Sequence, residues 1–291
     1  MDTQASIIDK LPGSDGTSIG HILVEAGRLS GKDVDVVLRE QRVHGEHFGS
    51  TALRLGLVSQ ADVDFALARQ YDYAYLAPNS GLVAQEVVMA YQPFSPVAEP
   101  LRTLRTQLAL RWLQQGRVER PSLALTGVGR GEGRSFVASN LAVMFAQTGA
   151  RTLLIDADLR NPAQHRLFHI DNRCGLSTLL AGRSPGEAIV PITGLPNLFV
   201  LPAGPVPPNP QELLGRHLAH QLRNLEDHFA VLIIDTPAAS SGADGQLVAA
   251  ESGATLLVVR QDMTPLSQLQ AFHAALAASG SRVLGAVVNR L

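Results

Sequence analysis

The feature that most constrains the fold is a series of short apolar runs in the last two thirds of the chain. Runs such as SLALT at 122–126, TLLID at 152–156 and VLIID at 231–235 are rich in Leu and Ile and lack polar alternation, which is typical of strands buried on both faces of a sheet. Stretches with helical spacing separate the runs, so the pattern predicts an α/β fold, a parallel sheet flanked by helices with right-handed crossovers. In such sheets, ligands bind at the carboxyl ends of the strands.

A glycine-rich loop follows the first of these strands. Residues 129–135 read GRGEGRS, and a helical stretch comes next. The backbone N–H groups of such a loop bind phosphate oxygens, and the helix N-terminus adds partial positive charge. The strict pattern has Gly at 128 and Lys at 134, where this chain has Val128 and Arg134, so a plain strand-to-helix turn stays open as an alternative. As a nucleotide site, the loop would use Gly129, Arg130, Gly131, Glu132, Gly133, Arg134, Ser135 and Phe136.

Acidic residues stand at the ends of two further strands. LLIDADLR places Asp156 and Asp158 after one strand, and VLIIDTPA places Asp235 after another. Any one of them could be a helix cap or a turn residue, but all three are expected at the same edge of the sheet as the loop. Mg²⁺ prefers oxygen ligands, and a phosphoryl acceptor needs a base. The sequence therefore predicts an ATP site whose Mg²⁺ is held by Ser135, Asp156 and Asp235.

The N-terminal part of the chain contains an internal repeat. Residues 19–41 and 48–70 align when shifted by 29 positions, and each copy has the pattern of a short helix ending at a glycine, followed by a second helix. Ser30 and Ser59, each with an Asp three residues later, are expected to cap the second helices. We therefore predict a flexible N-terminus at 1–16, a small helical domain at 17–76, a linker at 77–98 and the α/β domain at 99–291.

Charge and composition narrow the choice of partners and location. Residues 1–98 hold 7 basic and 12 acidic side chains, and the remainder holds 17 and 14, so neither part has the basic excess of a nucleic-acid-binding protein. The single Cys174 is typical of a reducing compartment. No apolar run approaches the roughly 20 residues that span a bilayer. We expect a soluble cytoplasmic protein; if it acts at the inner face of the membrane, a partner must bring it there.

Elements along the α/β part resemble the bacterial tyrosine kinases of polysaccharide export, and the whole chain resembles their chain-length-determinant branch of EpsG type. Residues 127–135 are similar to the Walker A loop of that family, 153–160 to its Walker A′ motif and 235–238 to its Walker B motif, whose last proline is replaced by Ala238. Residues 204–214 are similar to a further family stretch, GxxPPNPxELL. Four residues match by position: Glu99, Arg102 and Arg105 of a subunit-interface element, and Asn289 of a base-contacting position.

This resemblance implies a protein-tyrosine kinase that uses Mg·ATP and controls polysaccharide chain length with a membrane copolymerase, whose cytoplasmic tail it would bind. It implies that Asp158 activates the tyrosine hydroxyl while Asp156 and Asp235 position Mg²⁺ and water, with Arg134 in the place of the catalytic lysine. It also implies self-association through the interface element. The helical repeat resembles the MshEN-like N-terminal domain of type II secretion ATPases, some of which bind cyclic di-GMP; here Ser18 and His47 replace the two arginines, so we predict that this ligand is not bound tightly.

Two departures keep a second function open. The chain has no lysine after Lys32, and its four tyrosines, at 71, 73, 75 and 91, all precede the kinase-like part. The arginine side chain is longer than that of lysine, and its cation is planar. We therefore expect Arg134 to preserve ATP affinity better than the rate of phosphoryl transfer. The alternative is therefore a nucleotide sensor that gates a membrane copolymerase without phosphotransfer. A MinD/ParA-type ATPase is disfavoured because its signature lysine would fall at Gly129.

Overall fold

The structure is a computed structural model that describes residues 18–70, 74–77, 80–93, 95–113, 120–183 and 188–290. The chain divides into two compact units, Met1–Ala77 and Pro78–Leu291. The expected flexible N-terminus, together with Tyr71 and Tyr73, lies outside the described residues. In the part that is described, no helix combines the length and the apolar character needed to cross a membrane.

The first unit consists of two copies of a helix pair. Its helices are α1 Ile19–Glu25, α2 Gly31–His44, α3 Phe48–Arg54 and α4 Gln60–Gln70. Ser30 forms a capping box with Asp33 at the start of α2, and Ser59 exchanges the same bonds with Asp62 before α4, which confirms both expected caps. Within the second pair, Gly49 of α3 lies close against Val63 of α4: a Cβ at Gly49 would lie 2.9 Å from the Val63 Cγ1 atom. A core of aliphatic side chains closes the unit.

The second unit is built on a seven-stranded sheet with the order β3-β4-β2-β5-β1-β6-β7. The strands are β1 Ser122–Thr126, β2 Thr152–Asp156, β3 Val190–Pro191, β4 Leu198–Leu201, β5 Val231–Asp235, β6 Ala254–Arg260 and β7 Val283–Asn289. All neighbouring pairs are parallel except β3 with β4. The antiparallel edge was not expected from the sequence, because two residues are too short a run to show a period. The central strands β1, β2 and β5 are buried along their whole length, as their unbroken apolar runs predicted.

Helices flank this sheet. They are α5 Val88–Tyr91, α6 Glu99–Leu108, α7 Arg134–Gln147, α8 Gln164–Leu167, α9 Leu176–Leu180, α10 Pro210–Glu226, α11 Asp244–Glu251 and α12 Leu266–Ala278, with 3₁₀ turns at Pro96–Ala98 and Ala239–Ser241 and a π-helical turn at Ala109–Leu113. Helix α7 follows the loop, packs on strands β2 and β5 and is buried along most of its length. The start of α7 is thereby fixed beside the ends of β2 and β5.

The segment expected to be a linker packs on the second unit in its described part. Asn140 of α7 accepts a hydrogen bond from the Met89 backbone N–H at 2.9 Å and donates to the Glu86 carbonyl at 3.0 Å. The Tyr91 hydroxyl donates to the Val83 carbonyl at 2.5 Å and accepts from its N–H at 3.1 Å. This segment packs on the unit because the apolar stretch between its prolines buries the side chains of Met89 and Tyr91. Tyr91 is thus a core residue.

Candidate functional site

The glycine-rich loop is wrapped tightly between β1 and α7. Gly133, which precedes the first residue of α7, has a φ of +89° and lies so close to Asn289 that a Cβ would sit 2.1 Å from the Asn289 Nδ2 atom. A Cβ at Gly127 would lie 2.3 Å from the Glu132 carboxylate and 2.4 Å from the Val258 carbonyl. Only glycine fits at either place. The loop therefore takes its shape from contacts within the protein, and its amides precede the N-terminus of a fourteen-residue helix.

Arg134 points into the protein beneath this loop. Its side chain is only 8% exposed and meets three acceptors. The Nε atom donates to the Thr236 carbonyl at 3.1 Å, and Nη1 donates to the Gly129 carbonyl at 2.6 Å and to the Glu132 carboxylate at 3.1 Å. The guanidinium thus joins the loop to the strand end that carries Asp235. In this arrangement its hydrogen bonds go to oxygen atoms of the protein.

Glu132 and Asn289, both expected to contact nucleotide, contact the protein here. The Glu132 side chain is 2% exposed and accepts from Arg134 and, at 2.7 Å, from the Thr264 hydroxyl. The Asn289 amide donates to the Glu132 carbonyl at 3.2 Å. Arg260 adds a bond from Nη1 to the Gly131 carbonyl at 3.3 Å. Residues from the ends of β6 and β7 therefore hold the loop in place.

Asp156 and Asp235 lie opposite each other in the register of β2 with β5, at the ends of these strands. Both residues are buried. Asp156 accepts backbone N–H groups of Asp158, Ala163 and Gln164 at 3.2, 2.9 and 2.9 Å. Burial, and then the neighbouring Asp235 charge, raise the pKa of Asp156 well above its ordinary value. Burial likewise raises the pKa of Asp235 to about 6, although the Ser135 hydroxyl and the Gln164 amide pull that pKa the other way.

Asp158 and Arg160 lie just beyond β2, at the mouth of the site. Asp158 is half-buried, and its carboxylate accepts the backbone N–H groups of Arg160 and Asn161 at 3.2 and 2.8 Å. Arg160 makes a two-bond contact with the buried Asp244 at 2.6 and 3.3 Å. Arg130 is exposed and donates from Nε to the Ser241 hydroxyl at 3.3 Å. A cleft of about 490 Å³ is lined by Arg130, Arg160, Asn161, Ser240, Ser241 and the proline-rich stretch that includes Pro207 and Pro208.

The structure thus brings Ser135, Asp156 and Asp235 to one edge of the sheet, with Asp158 next to them. The residue that sequence reasoning missed there is Gln164, whose side chain donates to Asp235 at 2.8 Å and to the Ser135 carbonyl at 3.3 Å. No sequence signal marks it, because a glutamine in a short helix carries no chemistry of its own. Phe136, expected near the nucleotide, is half-buried at the start of α7, and its carbonyl accepts from Asn140.

The residues at this edge fit a magnesium ion bound together with phosphate. Among the described residues, no group of three His, Cys, Asp or Glu side chains is arranged to hold a metal by itself. Mg²⁺ is commonly bound by one or two carboxylates together with substrate phosphates. The Asp235 Oδ1 atom is buried without a hydrogen-bond partner in the described structure, as expected of a carboxylate oxygen that binds a cation.

The predicted interface residues lie on helix α6. Glu99 is exposed, and Arg102 forms an ion pair with it and donates to the Pro93 carbonyl. Arg105 is half-buried one turn further on. Spacing of three places these side chains along one side of the helix.

The sheet, the phosphate-binding type of loop and the carboxylates define a P-loop NTPase fold of the MinD/ParA kind. The crystal structure of the Pyrococcus furiosus cell division ATPase MinD superposes with a TM-score of 0.51 at 27% identity, over 58% of this chain and 72% of that one.

Proteins of higher sequence identity narrow the class of protein within this fold. The tyrosine-protein kinase YwqD of Bacillus subtilis (strain 168) is 36% identical over 219 residues, which cover 74% of this chain and 90% of the relative. The crystal structure of the chimerical protein CapA2B2 has a TM-score of 0.66 at 33% identity, over 72% of this chain and 91% of that one.

The chain belongs to the family of bacterial tyrosine-protein kinases. Residues 120–280 also match the family model of the cellulose biosynthesis protein BcsQ. The expected fold class is confirmed, and so is the kinase family to which the sequence motifs pointed.

Proposed function

We propose that this protein binds Mg·ATP and Mg·ADP at residues 129–135 and acts as a tyrosine-kinase-type regulator of exopolysaccharide chain length and export. The observation that carries this proposal is the junction of loop and strand ends, where the Ser135 hydroxyl lies beside Asp235 and the Asp235 Oδ1 atom is buried without a partner. Bound Mg·ATP would supply the phosphoryl group. Ser135 and Asp235 would hold the metal, and Asp156 would support them from the adjacent strand.

Asp158 is the candidate base for the acceptor. Asp158 is half-buried, and its carboxylate is held by the backbone N–H groups of Arg160 and Asn161, two residues that line the cleft. A carboxylate held in this way can accept the proton of a hydroxyl group that enters the cleft. Asp158 would therefore orient the acceptor. Arg160 forms an ion pair with Asp244 and is part of the wall of the cleft.

A nucleotide sensor without phosphotransfer is the second candidate, and the position of Arg134 favours it. All three hydrogen bonds of its guanidinium end on protein oxygens. A cation that follows the γ-phosphoryl group must leave those acceptors, one of which is the buried Glu132 carboxylate. Binding through the loop amides does not require such a movement, whereas transfer does.

The polysaccharide role and the partner are inferred from the family. The matched family model bears the name of a cellulose biosynthesis protein. We propose that the partner is the cytoplasmic tail of a membrane copolymerase, which would recruit this protein to the inner face of the membrane, and that the cytoplasm is where it works.

Titration calorimetry with Mg·ADP tests the proposed site. Ser135→Ala is expected to weaken binding in the presence of Mg²⁺ by about tenfold and to leave binding in EDTA nearly unchanged, since the hydroxyl acts through the metal. Ser139→Ala is the matched control, because Ser139 lies one turn later in α7 and its hydroxyl donates to the Phe136 carbonyl. Absence of heat and of competition at millimolar nucleotide would overturn the nucleotide-binding function.

Self-association through α6 gives a separate prediction. The variant with Glu99→Ala, Arg102→Ala and Arg105→Ala is expected to form a smaller assembly than the wild type in light scattering, because it removes the charged side of the helix. Glu212→Ala with Arg216→Ala, an exposed ion pair on α10, is the control for loss of charge alone. If the triple variant assembles like the wild type in every nucleotide state, the interface assignment is wrong.

The helical unit is predicted not to bind cyclic di-GMP tightly. A cleft of about 790 Å³ lies between its repeats and is lined by pairs of equivalent residues, including Ser18 with His47, Leu38 with Leu67 and Gln41 with Gln70. Among the described residues that line it, none is Lys or Arg, so a phosphate would lack the bidentate guanidinium partner that arginine supplies. We expect a dissociation constant above about a micromolar, near −8 kcal/mol, in calorimetry. Tighter binding by the wild type contradicts this expectation, and Ser18→Arg with His47→Arg is the variant expected to gain affinity.

A further inference from the structure

Gln164 connects three parts of the site. It is fully buried at the start of α8. Its backbone N–H donates to the Asp156 carboxylate at 2.9 Å, and its side-chain Nε2 donates to the Asp235 Oδ2 atom at 2.8 Å and to the Ser135 carbonyl at 3.3 Å. One neutral residue thereby joins the ends of β2 and β5 to the first turn of α7.

The remaining oxygens of this contact have no partner. Gln164 Oε1 and Asp235 Oδ1 are both buried and form no hydrogen bond within the described structure. Leaving a buried acceptor unsatisfied is costly, and native proteins rarely do so without a ligand or water at the place. The two atoms belong to side chains that are joined by the hydrogen bond between Nε2 and Oδ2, so both belong to the same buried contact. A hydrated cation bound at this contact would offer a partner to each of them.

We propose that Gln164 is a positioning residue for the magnesium ion of the nucleotide. Its Nε2 holds the Asp235 carboxylate by Oδ2 so that Oδ1 stays available to the metal, and its Oε1 accepts a hydrogen bond from a water of the metal's hydration shell. Mg²⁺ usually keeps several waters in protein sites, and partners that orient the ligands contribute 10–100-fold to metal affinity. The inference rests on the proposed nucleotide-binding function and adds a residue to it.

The neutral amide suits this role better than a third acid. Asp156 and Asp235 are already two buried carboxylates at paired positions. An amide can donate to one carboxylate while offering an oxygen to a hydrated cation, whereas a carboxylate at the same place has no donor and adds like-charge repulsion. Gln164→Glu keeps the size and the acceptor and loses the donor, so it separates the two contributions.

The test is the ratio of ADP affinities in Mg²⁺ and in EDTA, measured by calorimetry on the full chain. We expect Gln164→Met to lower the Mg²⁺-dependent gain in affinity by 10–100-fold and to leave the EDTA affinity within about threefold of wild type. Gln164→Glu is expected to lower the gain as well, and it serves as the second variant if Gln164→Met does not fold. Gln246→Leu is the matched control, since Gln246 is a half-buried glutamine that donates to the Ala275 carbonyl away from the site.

The outcomes separate this inference from the function on which it rests. If the wild type binds no ADP, the proposed nucleotide site itself is overturned. If the wild type shows a Mg²⁺-dependent gain that both Gln164 variants retain, only the role of Gln164 is wrong. Equal losses in Mg²⁺ and in EDTA would show that Gln164 merely supports the fold, and would also overturn the inference.

Discussion

Asp235→Asn is expected to stabilise the nucleotide-free protein at pH 7.5 and to remove most of its Mg²⁺-dependent nucleotide binding. Burial raises the pKa of Asp235 from 3.8 to about 6, so the folded state binds a proton that the unfolded state releases. The free energy of unfolding therefore falls as pH rises from about 4 to about 6, and the cost of the buried charge is fully present above that range. One pKa unit corresponds to about 1.4 kcal/mol, so the neutral side chain is expected to add about 1–3 kcal/mol at pH 7.5.

Urea unfolding of wild type and Asp235→Asn at pH 7.5 and pH 4 measures this effect. The advantage of the variant is expected to shrink at the lower pH, because the wild-type carboxyl is then protonated as well. Asp227→Asn, at an exposed position after α10, is the control for replacing an aspartate by asparagine. A variant less stable than wild type at pH 7.5, or one that keeps its response to Mg²⁺, would contradict this assignment of Asp235.

Arg134→Ala is expected to destabilise the protein by about 3–5 kcal/mol, the usual cost of removing one partner of a buried ion pair. The variant leaves the Glu132 carboxylate buried with only the Thr264 hydroxyl, and it frees the Gly129 and Thr236 carbonyls. Adding Glu132→Gln to Arg134→Ala is expected to recover a large part of the loss, because no buried charge then remains.

Urea unfolding of the two single variants and the double variant measures this coupling. An additive cycle would show that the two side chains act independently, contrary to the contact at 3.1 Å. Arg134→Ala is also expected to weaken nucleotide binding, since it loosens the loop. Arg216→Ala, on the exposed face of α10, is the control for removal of an arginine and should change stability by less than about 1 kcal/mol.

Much of the fold could be predicted because its signals are local. Unbroken apolar runs predicted the buried strands, and the carboxyl-end rule predicted that Asp156 and Asp235 lie beside the loop. The serine caps of the helical repeat followed from spacing alone. The packing of the described residues before α6 was not predicted, because prolines dominate the sequence pattern there, whereas the structure buries the apolar Met89 and Tyr91 between them.

The contacts that control the site are not local, and for that reason the sequence did not reveal them. Thr264 reaches Glu132 across 132 positions, and Arg134 reaches the Thr236 carbonyl across 102. Whether a cation at position 134 faces a phosphate or the protein depends on these distant acceptors. Gln164 was missed for the same reason, because its amide contacts Asp235, which is distant in the sequence and lies at the end of another strand.

The central claim, that the site binds nucleotide while Arg134 limits transfer, is tested most directly by incorporation of label from [γ-³²P]ATP. Wild type and Arg134→Lys are compared in the presence of the cytoplasmic tail of a membrane copolymerase, the proposed partner, with ATP binding measured on the same samples. We predict that the wild type binds ATP and transfers slowly, and that Arg134→Lys transfers faster, because a lysine can leave Glu132 and follow the phosphoryl group. A wild type that already transfers at about 1 per second or more, with no gain from Arg134→Lys, would contradict the account.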